Sequence, residues 1–148
     1  MKKLFFPVFL ILVFTLAASC SGGASGLHDG YYTAEAAGFD SHGWKEFVTI
    51  CVRNGRIITV EYNAKNPSGF IKSWDMEYMR HMGKIEGTYP NEYTRVYASQ
   101  LLDKQNPGAI DVLSGATESY EKFRQLASVV VSQSRMGSTQ VALVEIIE

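Results

Sequence analysis

The sequence predicts an α+β domain, a mainly antiparallel sheet with about three helices packed against it. Three observations lead there. Alternating, β-prone runs cluster in the first half and enclose an Asn-Gly pair. Three segments with apolar residues at helical spacing follow. A last apolar run, Val141 to Ile147, then closes the chain.

Taken in order, Met1-Lys2-Lys3 is a short basic stretch ahead of the apolar run Leu4 to Leu16, which Pro7 and Thr15 interrupt. That run is too short for a membrane-spanning helix and is followed by small residues, so 1–19 reads as a secretory signal peptide. Ala17-Ala18-Ser19-Cys20 resembles a bacterial lipobox, in which Cys20 is lipidated and becomes the mature N-terminus. It departs from the usual pattern in having Leu16 one place further from the cysteine. A plain signal peptide cut elsewhere is the alternative. Residues 20–27, rich in Ser and Gly, form a flexible tether, and 28–148 form one domain.

Composition is that of a globular protein, 46% hydrophobic and 20% charged. Loss of Lys2 and Lys3 makes the formal charge of −1 two units more negative. No clustered basic face is legible, so nothing points to nucleic acid. With Cys20 assigned to the lipid, Cys51 is unpaired and reads as a buried, inert thiol in a strand.

Gly30 to Phe39 opens as a β-prone segment. Trp44 to Arg53 is a stronger strand, Asn54-Gly55 a hairpin turn, and Arg56 to Asn63 the return strand. In that return strand Ile58, Val60 and Tyr62 share one face. Asn66-Pro67-Ser68-Gly69 turns the chain. A first helix is expected from about Phe70, with Ile71, Trp74, Tyr78 and Met82 on its stripe. A second opens at Thr88-Tyr89-Pro90-Asn91, with Pro90 in the first turn, and Asn106-Pro107-Gly108 stops it. A third runs from about Glu118 to Arg135 with Gly137 as its stop. Val141 to Ile147 is apolar enough to predict a central strand.

Between the second and third helices lies Asp111-Val112-Leu113-Ser114-Gly115-Ala116-Thr117. Ser114-Gly115 makes a tight turn and Thr117 brings a hydroxyl to a helix N-terminus, where unpaired N–H groups and the helix dipole favour an anion. A Thr at a helix start is equally read as an N-cap with no ligand.

The same residues resemble the flavinylation motif, Asp-x-x-Ser-Gly-Ala-Thr, of the FMN-binding domain family. That domain occurs in the covalent-flavin subunits of sodium-translocating NADH:quinone oxidoreductase and Rnf complexes, and in flavoprotein lipoproteins of extracellular electron transfer. The likeness continues through Gly30-Tyr31-Tyr32-Thr33-Ala34, Gly43-Trp44-Lys45, Asn54-Gly55-Arg56-Ile57, Gly69-Phe70-Ile71-Lys72-Ser73-Trp74-Asp75 and Gly87-Thr88-Tyr89-Pro90-Asn91. The chain is also similar, more loosely, to a treponemal membrane-immunogen lipoprotein. The resemblance implies FMN joined through its phosphate to Thr117, with Asp111 as the motif acid and Ser114, Gly115 and Ala116 as the turn. It implies a separate flavin transferase, using FAD and magnesium, as the maturation partner.

Under that resemblance the chain is an extracytoplasmic, lipid-anchored electron carrier rather than a turnover enzyme, and no catalytic residue is assigned. Its partners are a membrane electron donor and an extracytoplasmic acceptor. The alternatives are a non-redox surface-binding or structural lipoprotein, and a protein that binds or delivers FMN without a bond. Trp74, Tyr78, Met79, Tyr89 and Tyr93 are candidate ring neighbours, Trp74 preferred because Lys72 and Ser73 adjoin it. Core packing is the competing reading for each. Lys72 and Arg80 are candidate cations for a reduced flavin or its phosphate, against a reading as solvated helix charges. His28, His42 and His81 lack metal-ligand spacing, and Ser114 is not in a Gly-x-Ser-x-Gly elbow.

Overall fold

The computed structural model describes residues 26–147. The signal peptide, the lipobox with Cys20 and most of the tether lie outside the described residues.

Three strands, β1 (Gly30–Ala36), β2 (Lys45–Arg53) and β3 (Arg56–Lys65), run antiparallel as a meander. Asn54 and Gly55 make the β2–β3 turn with φ of 52° and 69°, the left-handed conformation that this pair tolerates. Three helices follow: α1 (Met76–Ile85), α2 (Pro90–Lys104) and α3 (Thr117–Met136). The chain returns to the sheet as β4 (Ala142–Val144), parallel to β1, giving the order β3-β2-β1-β4. This is the expected α+β architecture, with a sheet that is mostly antiparallel.

Alternation along the strands sorts residues between two faces. Tyr32, Ala34, Val48, Ile50, Val52 and Tyr62 point to the helices and are buried. On the other face Thr33 and Thr49 sit opposite each other with hydroxyls 2.9 Å apart, and Glu35 lies 3.2 Å from Lys45 and 2.6 Å from Lys65. α2 lies over β3, and α3 lies over β1 and β2. Between the layers Phe123 packs 4.7 Å from Tyr62 and stacks on Tyr97 at 5.6 Å and 16°. Leu101, Leu126 and Val130 complete this core.

Four details differ from the sequence-based expectation. In β3 the register shifts, so that Thr59 pairs with Cys51 and Ile57 with Val52, leaving Ile58 between them. This β-bulge buries Ile57 (2% exposed) and turns Ile58 out (45%), where strict alternation puts Ile58 inside. The first helix begins at Met76, not near Phe70, because the Asp75 carboxylate accepts the Tyr78 N–H at 2.9 Å and caps it. Ahead of it Lys72–Trp74 forms a single 3-10 turn, tied to β3 by the Lys65–Ile71 bridge and by Asn63, whose amide donates to the Ser73 hydroxyl at 2.9 Å. Finally, β4 is a three-residue edge strand rather than a central one. The β1–β2–β3 meander leaves free only the outer edges of β1 and β3, so a strand added after α3 lies at an edge; it pairs with β1, and Leu143 stays exposed.

The second and third helices run within a residue or two of their expected bounds. α2 ends at Gln105, in a left-handed conformation (φ 56°), and α3 at Gly137 (φ 67°). Gln105 does more than end a helix. Its Oε1 accepts the Ile57 N–H at 2.8 Å, and its Nε2 donates to the Ile57 carbonyl at 2.9 Å, clasping the hairpin at the bulge. Cys51 is buried and free, as its place in β2 implies.

Replacing Gln105 with Ala removes both of these bonds and leaves a partly buried N–H unpaired, so Q105A is expected to lower stability by about 1–3 kcal/mol in urea unfolding.

Candidate functional site

The segment between α2 and α3 is held by three side chains of α2 spaced along one face. Lys104 donates to the Ala109 carbonyl at 2.7 Å and pairs with Asp111 at 2.5 Å. Gln100 accepts the Asp111 N–H at 2.7 Å and donates to the Asp111 carbonyl at 3.1 Å. Tyr97 accepts the Leu113 N–H at 3.1 Å and donates to the Ala116 carbonyl at 3.0 Å, spanning the Ser114-Gly115 turn. The Leu113 carbonyl closes that turn on the Ala116 N–H at 3.0 Å. Tyr97 is fully buried, so the turn is anchored in the core.

Gly115 has φ of 78°, and a Cβ there would lie 2.2 Å from the Glu86 carbonyl oxygen. Only glycine both adopts this conformation and lets the turn touch the end of α1. The contact brings α1 beside the start of α3 and opens a cleft of about 600 Å³, a size common for small-molecule sites. Its walls carry Tyr78, Met82 and Ile85 from α1, Tyr93 from α2, and Ala116 to Ser119 with Lys122 from the start of α3. Asp40, Glu46 and Lys72 line it from the sheet side.

Thr117 is the first helical residue, and Ala116 holds the N-cap position without any side-chain bond. The reading of Thr117 as the cap is therefore corrected. Its side chain is exposed at the cleft, and its hydroxyl makes no hydrogen bond among the described residues. No side chain caps the first-turn N–H groups.

The charged groups of the cleft are coupled. Lys122, on α3, lies 2.6 Å from Glu118 and 3.3 Å from Asp40. Burial opposes the charge of Lys122, but the Glu118 bond and the nearby carboxylates prevail and hold its pKa well above the usual lysine range. Burial likewise opposes ionisation of Asp40; the Trp44 N–H bond (2.8 Å) and the Lys122 and Lys72 charges outweigh it and keep Asp40 below its ordinary value. The bond from Lys122 lowers Glu118 as well.

Glu46 behaves oppositely. It is 3% exposed, and burial raises its pKa despite the charges of Lys72 and Lys122. Its Oε2 is 2.5 Å from the Tyr62 hydroxyl, which lies 2.9 Å from the Ser119 carbonyl. A protonated Glu46 satisfies this geometry in one direction: it donates to Tyr62, and Tyr62 donates to Ser119.

The cleft thus gathers Ser119, Lys122 and Glu46 with the expected Thr117, Gly115, Ala116 and Lys72, and with Tyr78 and Tyr93 among the expected aromatics. Asp111 lies outside the lining, its side chain 83% exposed and paired to Lys104, and Ser114 is an exposed turn residue. Trp74 also lies outside it, 64% exposed and edge-on to Phe70 at 6.4 Å. Met79, Arg80 and Tyr89 do not line it either. The indole near Lys72 is Trp44, with its ring 5.9 Å from the ammonium. Sequence reading passed over Glu46, although a carboxylate among the inward positions of β2 (Glu46, Val48, Ile50, Val52) is a legible irregularity. Among the described residues no cluster of His, Cys, Asp and Glu is arranged to hold a metal, and no helix is long and apolar enough to cross a membrane.

Fold and site together define a class: a small α+β domain whose helices cover one sheet face and leave a cleft at the start of the last helix. Its relatives make the class narrower. No family model matches the chain. It is 33% identical over 132 residues to the 15 kDa lipoprotein of Treponema pallidum (strain Nichols), covering 89% of this chain and 92% of that protein. A crystal structure of a Clostridium perfringens protein superposes with a TM-score of 0.79 at 36% identity, over 82% of this chain and 99% of that one. The chain belongs to the family of the treponemal 15 kDa lipoprotein, a bacterial lipoprotein family.

Two outcomes are expected at the site. Glu46 takes up its proton more readily folded than unfolded, so it removes stability as pH rises above the ordinary glutamate range. E46Q keeps a donor towards Tyr62, so its melting temperature is expected to match the parent near the low end of that range and to exceed it increasingly towards neutral pH. G115A meets both a backbone clash and positive φ, and is expected to lose at least about 2 kcal/mol in denaturant unfolding.

Proposed function

We propose that this protein is a lipid-anchored, extracytoplasmic flavoprotein that carries FMN on Thr117 and serves as an electron carrier. The observation that carries this reading is the Thr117 hydroxyl, exposed and, among the described residues, unbonded on the first turn of a 20-residue helix at the wall of the cleft. A hydroxyl occupied in capping would have a structural task; this one has none.

The residues present fit the group. A phosphate ester on Thr117 would adjoin the uncapped N–H groups of the first turn, where negative charge is favoured. Tyr78, Met82, Ile85 and Tyr93 offer aromatic and apolar surface for a flat ring system, and Lys72, which no carboxylate contacts among the described residues, is the cation left to meet negative charge on the nucleotide. The Ser114-Gly115-Ala116 turn, fastened by Tyr97, holds Thr117 at the cleft. Asp111, outside the lining, would act through its Lys104 pair on the approach to the turn, or on the transferase. When bound, FMN supplies one- and two-electron transfer; the protein positions it and tunes its potential. The Cys20 lipid is supported by the lipobox-like residues and by the name of the treponemal relative. A membrane electron donor, an extracytoplasmic acceptor and a flavin transferase complete the reading.

The test is co-expression with a flavin transferase, followed by denaturation, gel filtration and intact-mass measurement. The parent is expected to keep a yellow chromophore and the FMN mass increment on the peptide containing Thr117. T117A is expected to lose both while its stability changes by no more than about 0.5 kcal/mol, since no bond of the hydroxyl is removed. Colour that survives denaturation in T117A would sink the assignment. Chromophore that denaturation removes from the parent would favour flavin binding without a bond. An unmodified peptide in the native host would favour a non-redox surface lipoprotein.

A further inference from the structure

Lys72 is a largely buried residue that lines the cleft, and among the described residues no carboxylate is in contact with its ammonium. Its side chain leaves the 3-10 turn before α1 and is 6% exposed. The ammonium lies 5.1 Å from the Tyr78 ring centroid and 5.9 Å from that of Trp44. Among the described residues it makes no hydrogen bond and no ion pair, whereas Lys122 across the cleft has two carboxylates in contact. The titratable groups sharing the cleft with Lys72 come from every neighbouring element: Glu46 from β2, Asp40 and His42 from the loop before it, Tyr78 and His81 from α1, Tyr93 from α2, and Glu118 and Lys122 from α3. Asp40 is already engaged by Lys122 and by the Trp44 N–H, and Glu46 is bonded to Tyr62. Burial opposes the charge of Lys72, but these surroundings together keep its pKa above the usual value. That support acts at a distance: no carboxylate touches the ammonium, its direct contacts are ring faces, and it is open to whatever enters the cleft.

We propose that Lys72 is the receptor for a negative charge on the flat, aromatic part of the cleft's ligand, separate from the anion-favouring helix end at Thr117. The site thus selects anionic over neutral planar aromatics. Naming that planar group as flavin rests on the reading above; the charge preference itself does not. In the flavin case, two electrons from an added reductant and one solvent proton convert a neutral oxidised ring into a monoanion. Lys72 favours the reduced form because it is the charged one. Arg80, exposed and outside the lining, has no such role.

Two measurements test this. In the first, full-length flavin-free T117A is titrated with a planar aromatic sulfonate, 1-anilinonaphthalene-8-sulfonate, and with its uncharged counterpart, N-phenyl-1-naphthylamine. The parent background is expected to prefer the anion at least tenfold. K72M is expected to bring that preference near unity, K72R to retain most of it, and R80M to leave it unchanged. Should K72M fail to melt cooperatively, K72Q takes its place. Lack of anion preference in the parent, or its persistence in K72M, overturns the proposal. In the second, flavinylated protein is titrated with dithionite against a reference dye. K72M is expected to lose at least tenfold in the stability of reduced relative to oxidised flavin, about 30 mV for a two-electron couple. An unchanged potential would overturn the assignment of Lys72 to the flavin ring. If the parent never acquires flavin, the functional reading fails, and the sulfonate titration still decides the role of Lys72.

Discussion

The buried hydroxyl of Tyr97 is the constraint on which the site depends. It accepts from Leu113 and donates to Ala116, so both of its strong hydrogen-bonding directions are spent on one four-residue turn. Its ring stacks on Phe123, which packs on Tyr62, which in turn reaches Glu46 and the Ser119 carbonyl. One chain of contacts therefore links the turn, the start of α3, the sheet and the cleft floor. Rings of this kind transmit position well, because a close-packed interior has little room for them to shift. Thr117 is exposed, but it is not loosely placed: the backbone on both sides of it is tied to buried groups.

Electrostatics divides the cleft into two unlike halves. Around Lys122 opposite charges are in contact, and each holds the other ionised against burial. Around Lys72 there is a cation between rings and a carboxyl that burial pushes toward its neutral form. The first arrangement is complete within the chain and ties α3 to the loop before β2. The second is supported only at a distance, with no carboxylate in contact among the described residues, which leaves the ammonium free to meet a ligand.

Features set by near neighbours in the sequence were legible. Asn54-Gly55 makes its hairpin because both residues tolerate positive φ, Pro90 starts α2 because a first-turn residue needs no N–H donor, and Gly137 ends α3 in the left-handed region. Features that depend on remote partners were not. Ile58 leaves the core because the bulge shifts its pairing with β2, and no local signal announces that shift. The apolar run near the C-terminus looks central, yet the meander already fills the centre of the sheet and the run joins at the outer edge of β1. Trp74 is two residues from Lys72 in sequence, but a 3-10 turn sends their side chains apart, and Trp44, remote in sequence, becomes the indole beside the ammonium.

By itself, the sequence determined the α+β class, the order of elements, most helix ends and the Ser-Gly-Ala-Thr turn ahead of α3, since these follow from dihedral preference and short-range periodicity. Only the tertiary structure decided that Thr117 follows the cap position rather than filling it. It also decided that Asp111 is paired outward to Lys104 and that Glu46, Lys72 and Lys122 share one cleft. The physical reason is distance along the chain: charge coupling, burial and strand register arise between segments brought together by packing, and no local preference encodes which segments those will be.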